Sequence, residues 1–261
     1  MSETARRVVV VGAGSGIGAA AAAHFHDRGD HVLAVDLRPN NTPASQHLTC
    51  DLRDAHSITA LLGEIGGGWD VLAHVAGVPG TAPPADVLRV NYLGMRLMTE
   101  GMLPLLRQGG SIIGVASTAA LGWEQRIDIL TGLLELTDGD DVERWQAGQD
   151  PDFPVYTTSK QAAILFAKRI AGPAWSKYRV RVNTVSPGPV ETPILADFEQ
   201  TMGKDVLDMV RSTVGRHATV DDVVPLIAFL ASPESRWING QDIQVDAGFI
   251  AAMTGGVPIA L

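Results

Sequence analysis

The segment Gly12-Ala13-Gly14-Ser15-Gly16-Ile17-Gly18 constrains this chain more than any other, because it joins a β-branched apolar run to an alanine-rich stretch of helical character. Glycines at that spacing let the backbone turn sharply, and the helix that follows offers free N–H groups and the positive end of its dipole. Such a turn suits an anion. With a strand before it and a helix after it, the anion it fits is the pyrophosphate of a dinucleotide. The same residues, preceded by Arg6-Arg7, loosely imitate a secretion signal, but the glycines interrupt the apolar run and His24 and His26 close it.

Beyond this turn, short β-branched runs alternate with longer helical stretches, the pattern of a parallel sheet covered on both faces. Strands are expected at Arg7–Val11, His31–Asp36, Gln46–Cys50, Val71–Val75, Ser111–Val115, Arg179–Val185 and Gln241–Val245. Helices are expected at Gly16–Arg28, Ser57–Glu64, Val87–Leu106, Pro154–Trp175 and Val220–Leu230. The fold class is α/β, with residues 1–261 forming a single dinucleotide-binding and catalytic domain around a seven-stranded parallel, doubly wound sheet.

Two segments break the rhythm. Residues 119–153 carry helical apolar spacing at Ile127, Leu130, Leu133 and Leu134, then an acidic, Gly-containing run from Asp138 to Asp152, and read as a partly helical insertion before the helix of Tyr156. Residues 189–216 place Met202, Val206, Leu207, Met209 and Val210 at helical intervals and read as a lid over a pocket.

Composition removes several classes of function. Lys and Arg number 20 against 29 Asp and Glu, and the net charge of −9 repels nucleic acid and anionic membrane. No apolar run reaches the ~18 residues of a membrane span. The single Cys50 has no partner for a disulfide and no companions for a zinc cluster, so no metal site is expected and a reducing, cytoplasmic setting fits best.

Asp36, at the end of the second strand, stands where a carboxylate can accept hydrogen bonds from the adenosine ribose and repel a 2′-phosphate. NAD is therefore expected over NADP, although Arg38 nearby supplies a guanidinium that could bind a 2′-phosphate. Further on, Tyr156 and Lys160 stand four apart in Tyr-Thr-Thr-Ser-Lys and so share one helix face. An adjacent ammonium lowers the phenol from its usual pKa near 10, fitting it for general acid–base work. Ser117 ends a strand upstream, and Asn91 lies in the helix before that strand. Taken singly, Ser117 suits a strand terminus, Asn91 a cap or turn and Lys160 a solvated cation. His74, Trp123 and Cys50 read as structural.

As an ordered set these residues resemble the short-chain dehydrogenase/reductase family, nearly end to end. Gly12 to Gly18 is similar to its glycine turn, Asp51-Leu52 to its adenine-contacting pair, and His74-Val75-Ala76-Gly77 to its Asn-Asn-Ala-Gly stretch. Val90-Asn91-Tyr92, Ser117, Tyr156 and Lys160 resemble its catalytic tetrad. Pro187-Gly188, Val190 and Thr192 resemble the loop beside the nicotinamide, and Asp246-Ala247-Gly248 the terminal Asp-Gly-Gly.

The resemblance implies a Rossmann fold and cofactor contacts from Gly12, Ser15, Gly16, Ile17, Asp36, Leu37, Asp51, Leu52, Ala76, Gly77, Pro187, Gly188, Val190 and Thr192, as well as from Asn91, Tyr156 and Lys160. It implies that Tyr156 takes the substrate hydroxyl proton, that Ser117 holds the substrate oxygen, that Lys160 tunes the phenol and meets the ribose, and that Asn91 positions a water leading to solvent. Val11 in place of the frequent Thr, and His74 in place of Asn, depart from the pattern. The stretch between Ser117 and Tyr156 is also much longer than usual. In this and in the apolar ending from Ile250 to Leu261, the chain resembles the bacterial 3α-hydroxysteroid dehydrogenase/carbonyl reductase branch.

The insertion is expected beside the Tyr156 helix, altering a subunit interface or walling the substrate cleft. The expected activity is NAD-dependent interconversion of a secondary alcohol and a ketone on a bulky hydrophobic substrate, steroid, terpene or aryl, by a homodimer or homotetramer. An NADPH-preferring carbonyl reductase and a non-catalytic dinucleotide-binding regulator are the alternatives.

Overall fold

The computed structural model describes residues 5–255. Its centre is a seven-stranded sheet in the order β3-β2-β1-β4-β5-β6-β7, every pairing parallel. The strands are β1 (Arg7–Val11), β2 (His31–Asp36), β3 (Gln46–Thr49), β4 (Trp69–His74), β5 (Leu106–Val115), β6 (Arg181–Pro187) and β7 (Asp242–Val245). Val8 to Val11 are all buried, as a central strand covered on both faces requires.

Around the sheet run α1 (Gly16–Asp27), α2 (Ala55–Ile65), α3 (Pro84–Leu88), α4 (Met95–Met102), α5 (Ile127–Leu134), α6 (Gly139–Ala147), α7 (Val155–Tyr178), α8 (Leu195–Met202), α9 (Lys204–Val214), α10 (Val220–Ala231) and α11 (Phe249–Thr254). One core packs Val8, Val10, Phe25, Val32, Ile113, Val223 and Ile227 under α1 and α10. The opposite face packs Leu33, Ile58, Trp69, Leu72, Met98, Ile112 and Ala167 under α2, α4 and α7. Among the described residues no helix is long and apolar enough to cross a membrane.

Strand order reverses between β1 and β4, and the crevice outside the carboxyl ends of these strands is where doubly wound sheets bind ligands. Here Val75 and Ala76 both donate their N–H to the Val11 carbonyl at 2.9 Å, which seats the loop after β4 against the glycine turn.

Several boundaries differ from those the sequence suggests. The third strand stops at Thr49, with Cys50 just beyond it, and the fourth runs Trp69–His74. Arg179 adopts φ 58 in the left-handed region and closes α7, so the sixth strand begins at Arg181. The helix expected over Val87–Leu106 is broken: α3 passes into a π-helical turn at Arg89–Gly94, then α4, then a 3-10 turn at Leu103–Leu105, and Leu106 already belongs to β5.

The insertion folds as α5 and α6. Leu130, Leu133, Leu134 and Val142 pack against Leu88, Tyr92 and Leu93, and against Ala162, Leu165 and Phe166 of α7. Arg126 stacks on Phe153 at 3.6 Å and donates to Gln161 at 2.6 Å, pinning the arm to α7. The segment expected to form a lid folds as α8 and α9. Phe249 and Ile250 of α11 bury against Val210 of α9; the apolar ending beyond residue 255 lies outside the described residues.

Candidate active site

A cavity of about 410 Å³ opens at the carboxyl edge of the sheet. Its floor is shaped by backbone. Gly12 sits at φ +87, and a Cβ there would lie 2.5 Å from the Ala76 Cα; a Cβ on Gly18 would overlap the Gly12 carbonyl oxygen. Ser15, the N-cap of α1, makes no side-chain cap bond, and the first turn of α1 holds no acidic residue. The positive end of the α1 dipole therefore faces the cavity with no carboxylate from its own first turn to neutralise it. This cradle fits a dinucleotide pyrophosphate.

At one end, Asp36 accepts a hydrogen bond from the Gly14 N–H at 2.8 Å, which holds the carboxylate at the wall beside Leu37. Asp51, Leu52 and Arg53 line the same end. Arg53 is engaged by Asp51 through Nε and Nη2 at 2.9 and 2.7 Å and by Asp86 at 3.6 Å. Its guanidinium holds the Asp51 carboxyl below its ordinary range. Arg38 points to solvent and does not line the cavity.

At the other end, the first turns of α7 carry Tyr156 and Lys160. Lys160 is only 4% exposed; its Nζ donates to the Val115 carbonyl at 2.9 Å and lies 5.7 Å from the centre of the Tyr156 ring. Burial lowers the ammonium to about 8. The phenol is pushed up to about 12 by burial, opposed by a hydrogen bond with Ser117. This corrects the expectation of a phenol drawn toward neutrality: enclosure disfavours the phenolate, and it disfavours the Lys160 charge as well.

Asn91 lies in the π-helical turn, buried behind the cavity wall. Its Oδ1 accepts from the Val78 N–H at 2.7 Å, and its Nδ2 donates to the Val78 carbonyl at 3.0 Å and to Ser159 Oγ at 3.1 Å. The amide thus ties the loop after β4 to the helix of Tyr156. Gly77 fits between them, 3.3 Å from both Asn91 Oδ1 and Lys160 Nζ at the position a Cβ would take. His74 is buried with Nε2 unpartnered, and burial together with the Lys160 charge lowers it to about 3, so it stays neutral.

Every other residue singled out from the sequence for the site lines the one cavity: Gly12, Ser15, Gly16, Ile17, Asp36, Leu37, Asp51, Leu52, Ala76, Gly77, Ser117, Tyr156, Lys160, Pro187, Gly188, Val190 and Thr192. On its far side a niche of about 30 Å³ shares Ser117, Tyr156, Gly188 and Phe198 with the main cavity and is closed by Thr118, Ala119, Pro189 and Leu207. Apart from Ala119 at its root, the insertion contributes nothing to either cavity. It covers α7 and does not wall the cleft. The roof brings in residues that sequence reasoning missed: Pro193, Ile194 and Phe198, with Phe198 against Tyr156 at 5.1 Å between ring centres. Only the apolar character of the lid segment hinted at them.

Comparison with known proteins agrees with this geometry. A family model described as short chain dehydrogenase matches residues 6–126, and one described as enoyl-(acyl carrier protein) reductase matches residues 146–250. A coniferyl-alcohol dehydrogenase of Pseudomonas sp. (strain HR199 / DSM 7063) is 34% identical over 250 residues, 95% of this chain and 98% of that protein. The chain belongs to the short-chain dehydrogenase/reductase family. A 3-alpha-hydroxysteroid dehydrogenase/carbonyl reductase of Comamonas testosteroni is 28% identical, covering 86% of this chain and 89% of that one. The crystal structure of a 3-alpha-hydroxysteroid dehydrogenase from Pseudomonas sp. B-0831 complexed with NADH superposes with TM-score 0.84 at 28% identity, over 97% of this chain and 100% of that chain. The protein is thus a short-chain dehydrogenase/reductase oxidoreductase that uses a nicotinamide dinucleotide. The two model matches leave residues 127–145 between them, the core of the inserted arm.

Proposed function

We propose that this short-chain dehydrogenase/reductase is an NAD-dependent alcohol dehydrogenase that also runs as a carbonyl reductase, interconverting a secondary alcohol and a ketone on a bulky hydrophobic substrate. The observation that carries the reading is the meeting of Ser117, Tyr156 and Lys160 at the end of the cavity opposite Asp36. When bound, the nicotinamide supplies or accepts the hydride. Ser117 Oγ holds the substrate oxygen by hydrogen bonding, and Tyr156 exchanges the proton at that oxygen. A phenol held near 12 keeps its proton at neutral pH, which suits the donor role in ketone reduction. In the reverse direction, the Lys160 ammonium, charged below about pH 8, favours the phenolate that Tyr156 must become. Asn91 keeps the loop after β4 and the catalytic helix in register.

NAD is favoured because the Asp36 carboxylate is fixed at the ribose end and would repel a 2′-phosphate, while Arg53 on that wall is already paired with Asp51 and Asp86. The relatives named above for coniferyl alcohol and hydroxysteroid point to a ring-bearing alcohol, and the same reading takes the working form to be a homodimer or homotetramer. The test is NADH formation from NAD with a panel of aryl, steroid and terpene alcohols. Tyr156→Phe is expected to cost about 10²- to 10⁴-fold in turnover while NADH binding stays within a few-fold. Turnover retained in that variant would overturn the assignment.

A further inference from the structure

We propose that Phe198 is a specificity-determining residue of the substrate niche, and that it selects neutral substrates with an aromatic ring beside the reacting carbon over their saturated counterparts. The inference deepens the alcohol-dehydrogenase reading above and rests on it.

The niche beyond Tyr156 is bounded by Ser117, Thr118, Pro189, Leu207 and Phe198, and no side chain around it carries a charge. A carboxylate, phosphate or thioester carrier with anionic groups would lose its hydration there with nothing to pair it. Ser117, Thr118 and Tyr156 bring hydroxyls to the niche, and Phe198, Leu207 and Pro189 bring apolar surface. A substrate oxygen held between Ser117 and Tyr156 brings the groups beside its carbon close to Phe198, whose ring meets that of Tyr156.

Phe198 meets the Tyr156 ring at 5.1 Å and 64°, an edge-to-face pair. The contact holds the Phe198 ring upright at the boundary between the cofactor cavity and the niche. The neighbouring Asp197 accepts a hydrogen bond from Thr81 Oγ1 at 2.8 Å, so α8 is tied to the loop after β4 at the residue before Phe198. An aromatic ring beside Phe198 gains a quadrupolar contact that a saturated ring of equal area does not.

The test uses two neutral alcohols that differ only in the ring, methyl phenyl carbinol and methyl cyclohexyl carbinol, with NAD as oxidant and wild-type, Phe198→Leu, Phe198→Ala and Phe198→Tyr proteins. The ratio of kcat/KM for the phenyl to the cyclohexyl alcohol cancels effects common to both. We expect Phe198→Leu and Phe198→Ala to lower that ratio by roughly threefold to tenfold, mainly through KM, and Phe198→Tyr to keep it. If Phe198→Ala fails to fold, Phe198→Leu, which preserves most of the volume, decides. A ratio unchanged in the Leu variant overturns the proposal while the dehydrogenase reading stands. If the wild-type protein binds NADH, by fluorescence, yet oxidises neither alcohol nor any member of the wider panel, the dehydrogenase reading itself fails.

Discussion

The floor and the roof of the cavity are built by different means. The floor is main chain: the glycine turn against Ala76, the two N–H groups on the Val11 carbonyl, and a carboxylate pinned by the Gly14 N–H. The roof rests largely on side chains: α8 and α9 meet the rest through Thr81 and Asp197, through Phe198 and Tyr156, through His217 on the Leu207 carbonyl at 3.0 Å, and through Val210 packed on Phe249 and Ile250. A floor of that kind admits few substitutions, because a Cβ has nowhere to go. The roof can change its lining without disturbing the sheet, which is how one fold serves many substrates.

Three perturbations test this division. The largest effect belongs to Lys160, at the junction of floor and roof. Holding an ammonium of ordinary pKa 10.5 down at about 8 costs the folded state on the order of 3 kcal/mol below pH 8. The unfolded chain binds the proton more tightly, so wild-type stability should climb as pH rises from about 8 to 10.5. Lys160→Met should therefore unfold at higher denaturant than wild type at pH 7, with the advantage shrinking by pH 10.5, while turnover falls at least about a hundredfold. Equal stability of the two proteins at pH 7 would show that the cation is not confined as described.

Next in size is Asp36 in the floor. Asp36→Ser should lower the ratio of kcat/KM with NAD to that with NADP by about tenfold to a hundredfold, the range of a hydrogen bond to a charged group, with the ranking of alcohol substrates unchanged. A reordered substrate ranking would break the separation of floor from roof. The smallest effect is at the latch. Thr81→Val removes an exposed hydrogen bond and should raise substrate KM about twofold to fivefold, leaving the cofactor ratio alone.

The same division explains what the sequence revealed. Glycines at 12 and 18, the strand runs and Asp36 are legible because backbone sterics and the unbroken apolar runs of strands buried on both faces leave a local signature. The spacing of Tyr156 and Lys160 is legible for the same reason, since one helical turn fixes their relation. The π-helical turn around Asn91 was read as continuous helix, because its apolar pattern is helical and the break follows from tertiary packing. Phe198 was missed altogether. Its importance lies in which ring it meets, and nothing in the neighbouring residues announces a partner 42 positions earlier. The raised phenol was misjudged because a charge partner can be read along a helix, whereas enclosure by distant segments cannot.

The arm on α7 makes the catalytic helix a sandwiched beam. One side of that helix rests on the sheet through Ala167 and Ala171, and the other carries Leu165 and Phe166 under α5 and α6. Trimming the arm back would strip a greasy strip of helix bare a few turns from the reacting tyrosine. A segment that reads as a dispensable appendage is therefore part of the mounting that keeps the chemistry aligned.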